Sequence, residues 1–199
     1  METFRGNLLL LLASVIWGTA FVAQATGMEY VGPLTFTFVR FLLGAITILP
    51  FIILFEKKLF FKTIKKPNVF LLIFCTSLAL GFGATTQQYA LLNTDVSNAA
   101  FITALYVPLV PIILTLVLRK RLHNSIWLAI LVCLIGLYLL TSESSSLAMR
   151  YSDTLLVFSS IAFACQIILT DIYLKKNNLH FTFAFSQYFL IFIFTFIIS

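Results

Sequence analysis

The sequence predicts an all-α polytopic membrane protein with about seven transmembrane helices. Of its 199 residues, 61% are hydrophobic and only 10% charged, whereas a soluble domain averages about 45–50% apolar and about 25% charged residues. A chain of this size leaves much of its surface exposed after folding, so the surrounding solvent must be lipid. In lipid every backbone polar group is paired internally, which restricts spanning structures to helices and closed barrels. Barrel strands alternate apolar and polar residues, but the apolar runs here are continuous, and helices follow. The net charge of +6 is that of basic loops orienting a membrane protein, so no nucleic-acid partner is expected.

Seven runs approach the roughly 20 apolar residues a span requires: Leu8–Thr26, Pro33–Phe55, Val69–Leu92, Val96–Leu118, Ser125–Thr141, Thr154–Leu174 and Phe181–Ser199. The first is long enough to span and no A-x-A-like cleavage site follows it, so it reads as a retained helix rather than a signal peptide. Gly32-Pro33 opens the second, Pro67-Asn68 the third, and Asn93-Thr94-Asp95 makes a tight turn between the third and fourth. The fifth is the shortest and the sixth the most polar.

Arg5, the Lys57–Lys66 cluster, Arg119–Arg121 and Lys175–Lys176 place eleven of the thirteen basic residues on one side of this arrangement. The opposite side holds only Arg150, in the loop Ser142–Asp153 that also carries Glu143. Positive residues stay inside, which predicts a cytoplasmic N-terminus.

Two local matches predict an internal repeat that restarts after the longest outer loop. A shift of 147 sets Thr35–Leu43 over Thr182–Leu190 with four of nine positions identical and Arg40 over Gln187. A shift of 146 sets Ala13-Ser14 over Ser159-Ser160. A unit with an odd number of spans forces its second copy to enter from the opposite face, the inverted repeat of many secondary transporters, whose sites lie near the bilayer midplane.

Arg40 lies about 10 Å past Pro33 at roughly 1.5 Å per residue, a depth at which a charge is costly unless it faces protein or water. It lines a central cavity, snorkels to the interface, or anchors two helices by hydrogen bonding. The candidate cavity residues are Trp17, Arg40, Gln87, Gln88, Asn98, Tyr106, Gln166 and Gln187; the polar ones serve equally as glue between helices. Trp17-Gly18 fits a cavity wall or a close helix crossing, while Gly81-x-Gly83 and Pro108 with Pro111 fit flexible or kinked segments. Asp171 sits four residues before Lys175 and reads as a surface ion pair. Cys75, Cys133 and Cys165 lie in apolar runs at unrelated spacings, as packing residues. His123 and His180 fall in loops. No metal site, no cofactor and no catalytic residue is expected, since no nucleophile or acid–base pair is offered at membrane depth.

These residues together resemble the drug/metabolite transporter superfamily and, within it, the EamA-type permeases. The resemblance rests on Ile16-Trp17-Gly18-Thr19-Ala20-Phe21-Val22, on Pro33 followed by Phe38-Val39-Arg40-Phe41, on Ser97-Asn98-Ala99-Ala100 followed by Pro108, and on Trp127 followed by Leu134-Ile135-Gly136-Leu137. It spans nearly the whole chain. One departure is Arg119-Lys120-Arg121, where the family usually carries a Glu. The resemblance implies ten helices in two five-helix repeats, and so a first EamA-like repeat over 1–142 and two helices of an incomplete second repeat over 143–199. It implies a permease or exporter of small metabolites or drugs working by alternating access in a bacterial inner membrane, with the lipid bilayer and a small-molecule substrate as partners. A homo-oligomer is compatible with it. Two other readings are a truncated fragment that is non-functional or needs partners and a seven-helix receptor or sensor; the receptor requires an external N-terminus, against the charge distribution.

Overall fold

The computed structural model describes residues 2–120, 122–141 and 151–199. Arg121 and the stretch 142–150, which contains the outer-loop residues Glu143 and Arg150, lie outside the described residues. Every predicted span is helical: α1 (Glu2–Gly27), α2 (Pro33–Phe51), α4 (Pro67–Leu91), α5 (Val96–Thr103) with α6 (Tyr106–Leu116), α7 (Asn124–Thr141), α8 (Tyr151–Asn177) and α9 (His180–Ile198). Among the described residues, six helical segments are long and apolar enough to cross a bilayer, and the shorter apolar helix Asn124–Gly136 accompanies them. The short α3 (Lys57–Ile64) occupies the basic segment read as a loop, and His180 opens α9 rather than lying in a loop.

Local chemistry explains the boundaries. Pro33 and Pro67 stand at the first positions of α2 and α4, where a missing N–H costs nothing and the fixed φ suits a helix. Pro50 lies inside α2 and removes a donor from its ladder. Directly after it the chain loosens into a π-helical turn, Ile52–Glu56, the kind of bulge that re-aims side chains. The turn buries Glu56, which is 8% exposed. Its carboxylate accepts the backbone N–H of Phe181 at 3.2 Å and of Thr182 at 2.7 Å. An anion thus satisfies orphan donors at the start of α9, where the helix dipole favours it.

The fourth span is interrupted at Ala104-Leu105, four residues before Pro108. The expected kink is therefore real but begins upstream of its proline. Gly81-x-Gly83 behaves otherwise. Helix α4 runs unbroken through it, and a Cβ at position 83 would lie 3.0 Å from Phe163 and 3.3 Å from the carbonyl oxygen of Ser159. These glycines allow close approach of neighbouring helices without breaking the helix that carries them.

Helix α4 packs most extensively against α8, and α2 against α9; α1 and α7 stand at the periphery on α5. The α2–α9 pair is antiparallel, since Phe38 meets Phe196, Phe41 meets Tyr188 and Phe51 meets Phe181. The core lies where α4, α8 and α9 converge, around Ile73, Tyr173 and Phe183, and around Phe41, Ala84 and Ile191. Hydrogen bonds between helices stitch it: Ser159 Oγ donates to the Gly83 carbonyl and Ser160 Oγ to that of Ile102, each at 2.8 Å.

Candidate functional site

A cavity of about 370 Å³ opens between α1, α2, α4, α8 and α9, and Trp17, Arg40, Gln87, Phe41, Tyr188 and Gln24 are among the residues lining it. Arg40 is its charged group. Its Nη1 donates to Gln24 Oε1 at 2.6 Å, and Gln24 Nε2 in turn donates to the Ala20 carbonyl at 3.1 Å. That second bond fixes the amide so that its oxygen faces the guanidinium. Gln24 is 4% exposed, so the pair is both a tie between α1 and α2 and a cavity wall. The guanidinium carbon also lies 5.1 Å from the Phe41 ring centre and 5.8 Å from that of Phe36, within reach of cation–π attraction.

The walls are aromatic. Trp17 stacks on Tyr106, the first residue of α6, with centroids 5.6 Å apart and planes at 23°. The break at Ala104-Leu105 frees α6 to begin there. Tyr188 packs edge-on against Phe41 at 5.5 Å and fills the space over Gly44, where a Cβ would fall 2.8 Å from its ring. Gln87 Nε2 donates to Thr103 Oγ1 at 3.0 Å, which holds its amide at the cavity edge. A Cβ added at Gly18 would meet nothing within 4 Å, so Trp17-Gly18 marks a wall and not a close crossing.

Of the eight sequence candidates, Trp17, Arg40 and Gln87 line the cavity and Tyr106 braces it. The other four do not line it. Gln88 is buried against Met28, its Nε2 3.0 Å from Sδ. Asn98 Nδ2 donates to Thr94 Oγ1 and Asp153 Oδ1, each at 3.1 Å, tying the start of α8 to α5. Gln166 Nε2 donates to Thr170 Oγ1 within α8. Gln187 is buried, 3% exposed, one position from the lining residue Tyr188. Phe41, Gly44, Ala84, Phe163 and Tyr188 entered the lining unannounced. A helical stripe three to four residues from Arg40 signals Gly44; aromatic abundance masks Phe41, Phe163 and Tyr188, and nothing in the sequence sets Ala84 apart. Asp171 pairs with Lys175 at 2.6 Å on the exposed face of α8, as its spacing implied.

A second cavity, about 430 Å³, opens between Lys66–Val69, Leu72, Lys176 and Asn177. It lies at the ends of α4 and α8, and its lysines are exposed. A charge held inside the bundle marks the central cavity as the functional candidate. Among the described residues no group of three or more His, Cys, Asp or Glu could hold a metal ion.

The EamA-like transporter family matches residues 4–142. The chain is 30% identical over 178 residues to an uncharacterized transporter of Archaeoglobus fulgidus, covering 89% of this chain and 53% of that protein. It is 31% identical over 163 residues to the uncharacterized transporter YwfM of Bacillus subtilis, covering 78% of this chain and 52% of that protein. The chain thus spans about half the length of these curated relatives. No solved structure matches it significantly. Sequence pattern, helical architecture and these relatives agree: the chain belongs to the EamA-like transporter family.

Proposed function

We propose that the central cavity is the solute site of a secondary transporter that moves small metabolites or drugs across the plasma membrane by alternating access, with the N-terminus cytoplasmic. The observation that carries this reading is Arg40, a cation held at membrane depth on the wall of a cavity of about 370 Å³. Ionisable groups there mark substrate pathways, and the volume falls within the roughly 300–1,000 Å³ of small-molecule sites.

The inverted-repeat reading, with 1–142 as one repeat and 143–199 as the start of the second, gains support from the α2–α9 pair. The residues that the 147-residue shift equates, Phe41 and Tyr188, meet at 5.5 Å in an antiparallel crossing. That is the arrangement a twofold axis in the membrane plane produces, and the cavity sits beside it. Further helices, from a longer chain or a second copy, would pack on the exposed faces of α1 and α7.

Counterflow of labelled metabolites in proteoliposomes tests the proposal. Saturable exchange by the purified chain, or by a version extended to ten helices, supports it. Movement of no solute by either overturns it. Tags at both termini report orientation, and an externally accessible N-terminus overturns the topology.

A further inference from the structure

We infer that the solute is a small organic monoanion, a carboxylate on a flat apolar body, whose carboxylate pairs with Arg40. The inference rests on the transport reading of the cavity and specifies its cargo.

Charge decides the sign. Arg40 is the cation of the cavity wall, and among the described residues no Asp or Glu is part of the lining. Arginine does not deprotonate in proteins. Its hydrogen bond goes to the neutral amide of Gln24, and the rings of Phe36 and Phe41 near it are apolar. No carboxylate among the described residues lines the cavity to neutralise that charge, and in a low-dielectric site its field is weakly screened. A cationic solute is repelled. A neutral solute leaves the charge uncompensated. A monoanion cancels it, while a phosphate dianion would carry a second charge into a site with one counterion.

Geometry selects the group. A guanidinium offers its donors in a planar fork that matches a carboxylate through two parallel bonds. Gln24 takes one donor of Arg40, one of the five that a guanidinium carries. The shape of the body follows from the walls. Trp17, braced by Tyr106, and Tyr188, seated over Gly44, present ring surfaces to the cavity. Rings of this kind favour offset or edge-on contact with a flat apolar group. The volume, about 370 Å³, lies near the small end of the usual range.

Trp17 provides the readout. The chain's other tryptophan, Trp127, lies on α7 and is not part of the lining, so Trp127→Phe leaves Trp17 as the single reporter. Its fluorescence is titrated with phenylacetate, phenylacetamide and phenyl phosphate. Phenylacetate should quench saturably, with the amide and the phosphate each weaker by about tenfold or more. Arg40→Gln in the same background should abolish the preference of carboxylate over amide, and Arg40→Lys should retain part of it. The ligand series on the chain with native Arg40 needs no folded Arg40 variant. Equal or tighter binding of the amide, tighter binding of the phosphate, or no saturable signal from any of the three overturns the inference. Proteoliposome exchange separates the two proposals: exchange of neutral or cationic solutes alone keeps the transport reading and overturns this one.

Discussion

Helices α1 and α8 are equally apolar and unlike as neighbours. The 146-residue shift that aligns Ser14 with Ser160 also sets Trp17 over Phe163, and both rings line the cavity. Yet 11% of the apolar stretch of α1 is buried, against 33% for α8. Ser14 is exposed and bonds back to the Leu10 carbonyl of its own helix at 2.9 Å. Ser160 bonds back to Leu156 and also across to Ile102. Trp17 is 44% exposed and Phe163 is 7%. Lipid tails are as apolar as leucine, so helices gain nothing from hiding hydrophobic surface from one another. What distinguishes α8 is the opposite surface: Gly83 on α4 lets it approach closely, and serines then bond across the gap. The apolar run that inserts a helix does not specify what the helix packs against.

Exchanges at matched positions put that contrast to the test. The largest effect is expected from Phe163→Ala, which empties a packed site that lipid cannot refill and should cost about 3 kcal/mol. Trp17→Ala should change stability by less than about 1 kcal/mol and lower solute flux instead. Thermal unfolding in detergent, read beside proteoliposome exchange, checks both. Equal melting shifts would mean that α1 is as tightly packed as α8. Next, Gly83→Val overpacks the α4–α8 crossing and should destabilise by about 2 kcal/mol, whereas Gly18→Val, with nothing within 4 Å, should stay within about 0.5 kcal/mol.

The contact between the turn after α2 and the start of α9 should show a smaller effect. Glu56→Gln keeps an acceptor but removes the charge that satisfies the Phe181 and Thr182 N–H groups. About 1 kcal/mol is expected, measured as greater amide hydrogen exchange in the first turn of α9. Unchanged protection there would show that the cap is dispensable. Smallest is Ser160→Ala, which removes one bond between helices worth about 0.6 kcal/mol; Ser14→Ala should be neutral on the same melting scale.

Much of the fold was legible because the bilayer imposes a length. The prolines at 33 and 67 began helices where they were expected to, and the turn at Asn93-Thr94 separates α4 from α5. Legibility failed where a residue had two physical uses. Gly81-x-Gly83 looked like a hinge because glycine loosens helices, but an unbroken helix also needs glycine where another helix approaches closely. Pro50 drew no notice, and the π turn after it aims the buried carboxylate of Glu56. In the site, Trp17, Arg40 and Gln87 were readable because polar or amphipathic groups inside apolar runs are conspicuous. Gln88, Asn98, Gln166 and Gln187 were equally conspicuous but bond or pack elsewhere, since an amide ties helices as readily as it meets a ligand.

That this is a helical membrane protein, where most of its helices begin and end, and that a cation lies at membrane depth on α2 were all written in the amino-acid order. Those properties follow from hydrophobic length, turn chemistry and charge, which are local. It took the folded arrangement to make α8 central and α1 peripheral, to set Glu56 as the cap of α9, and to hold Arg40 by Gln24 rather than by a carboxylate. These depend on which surfaces meet, and in a solvent as apolar as the protein the choice is made by close packing and a few hydrogen bonds. Composition does not record such contacts.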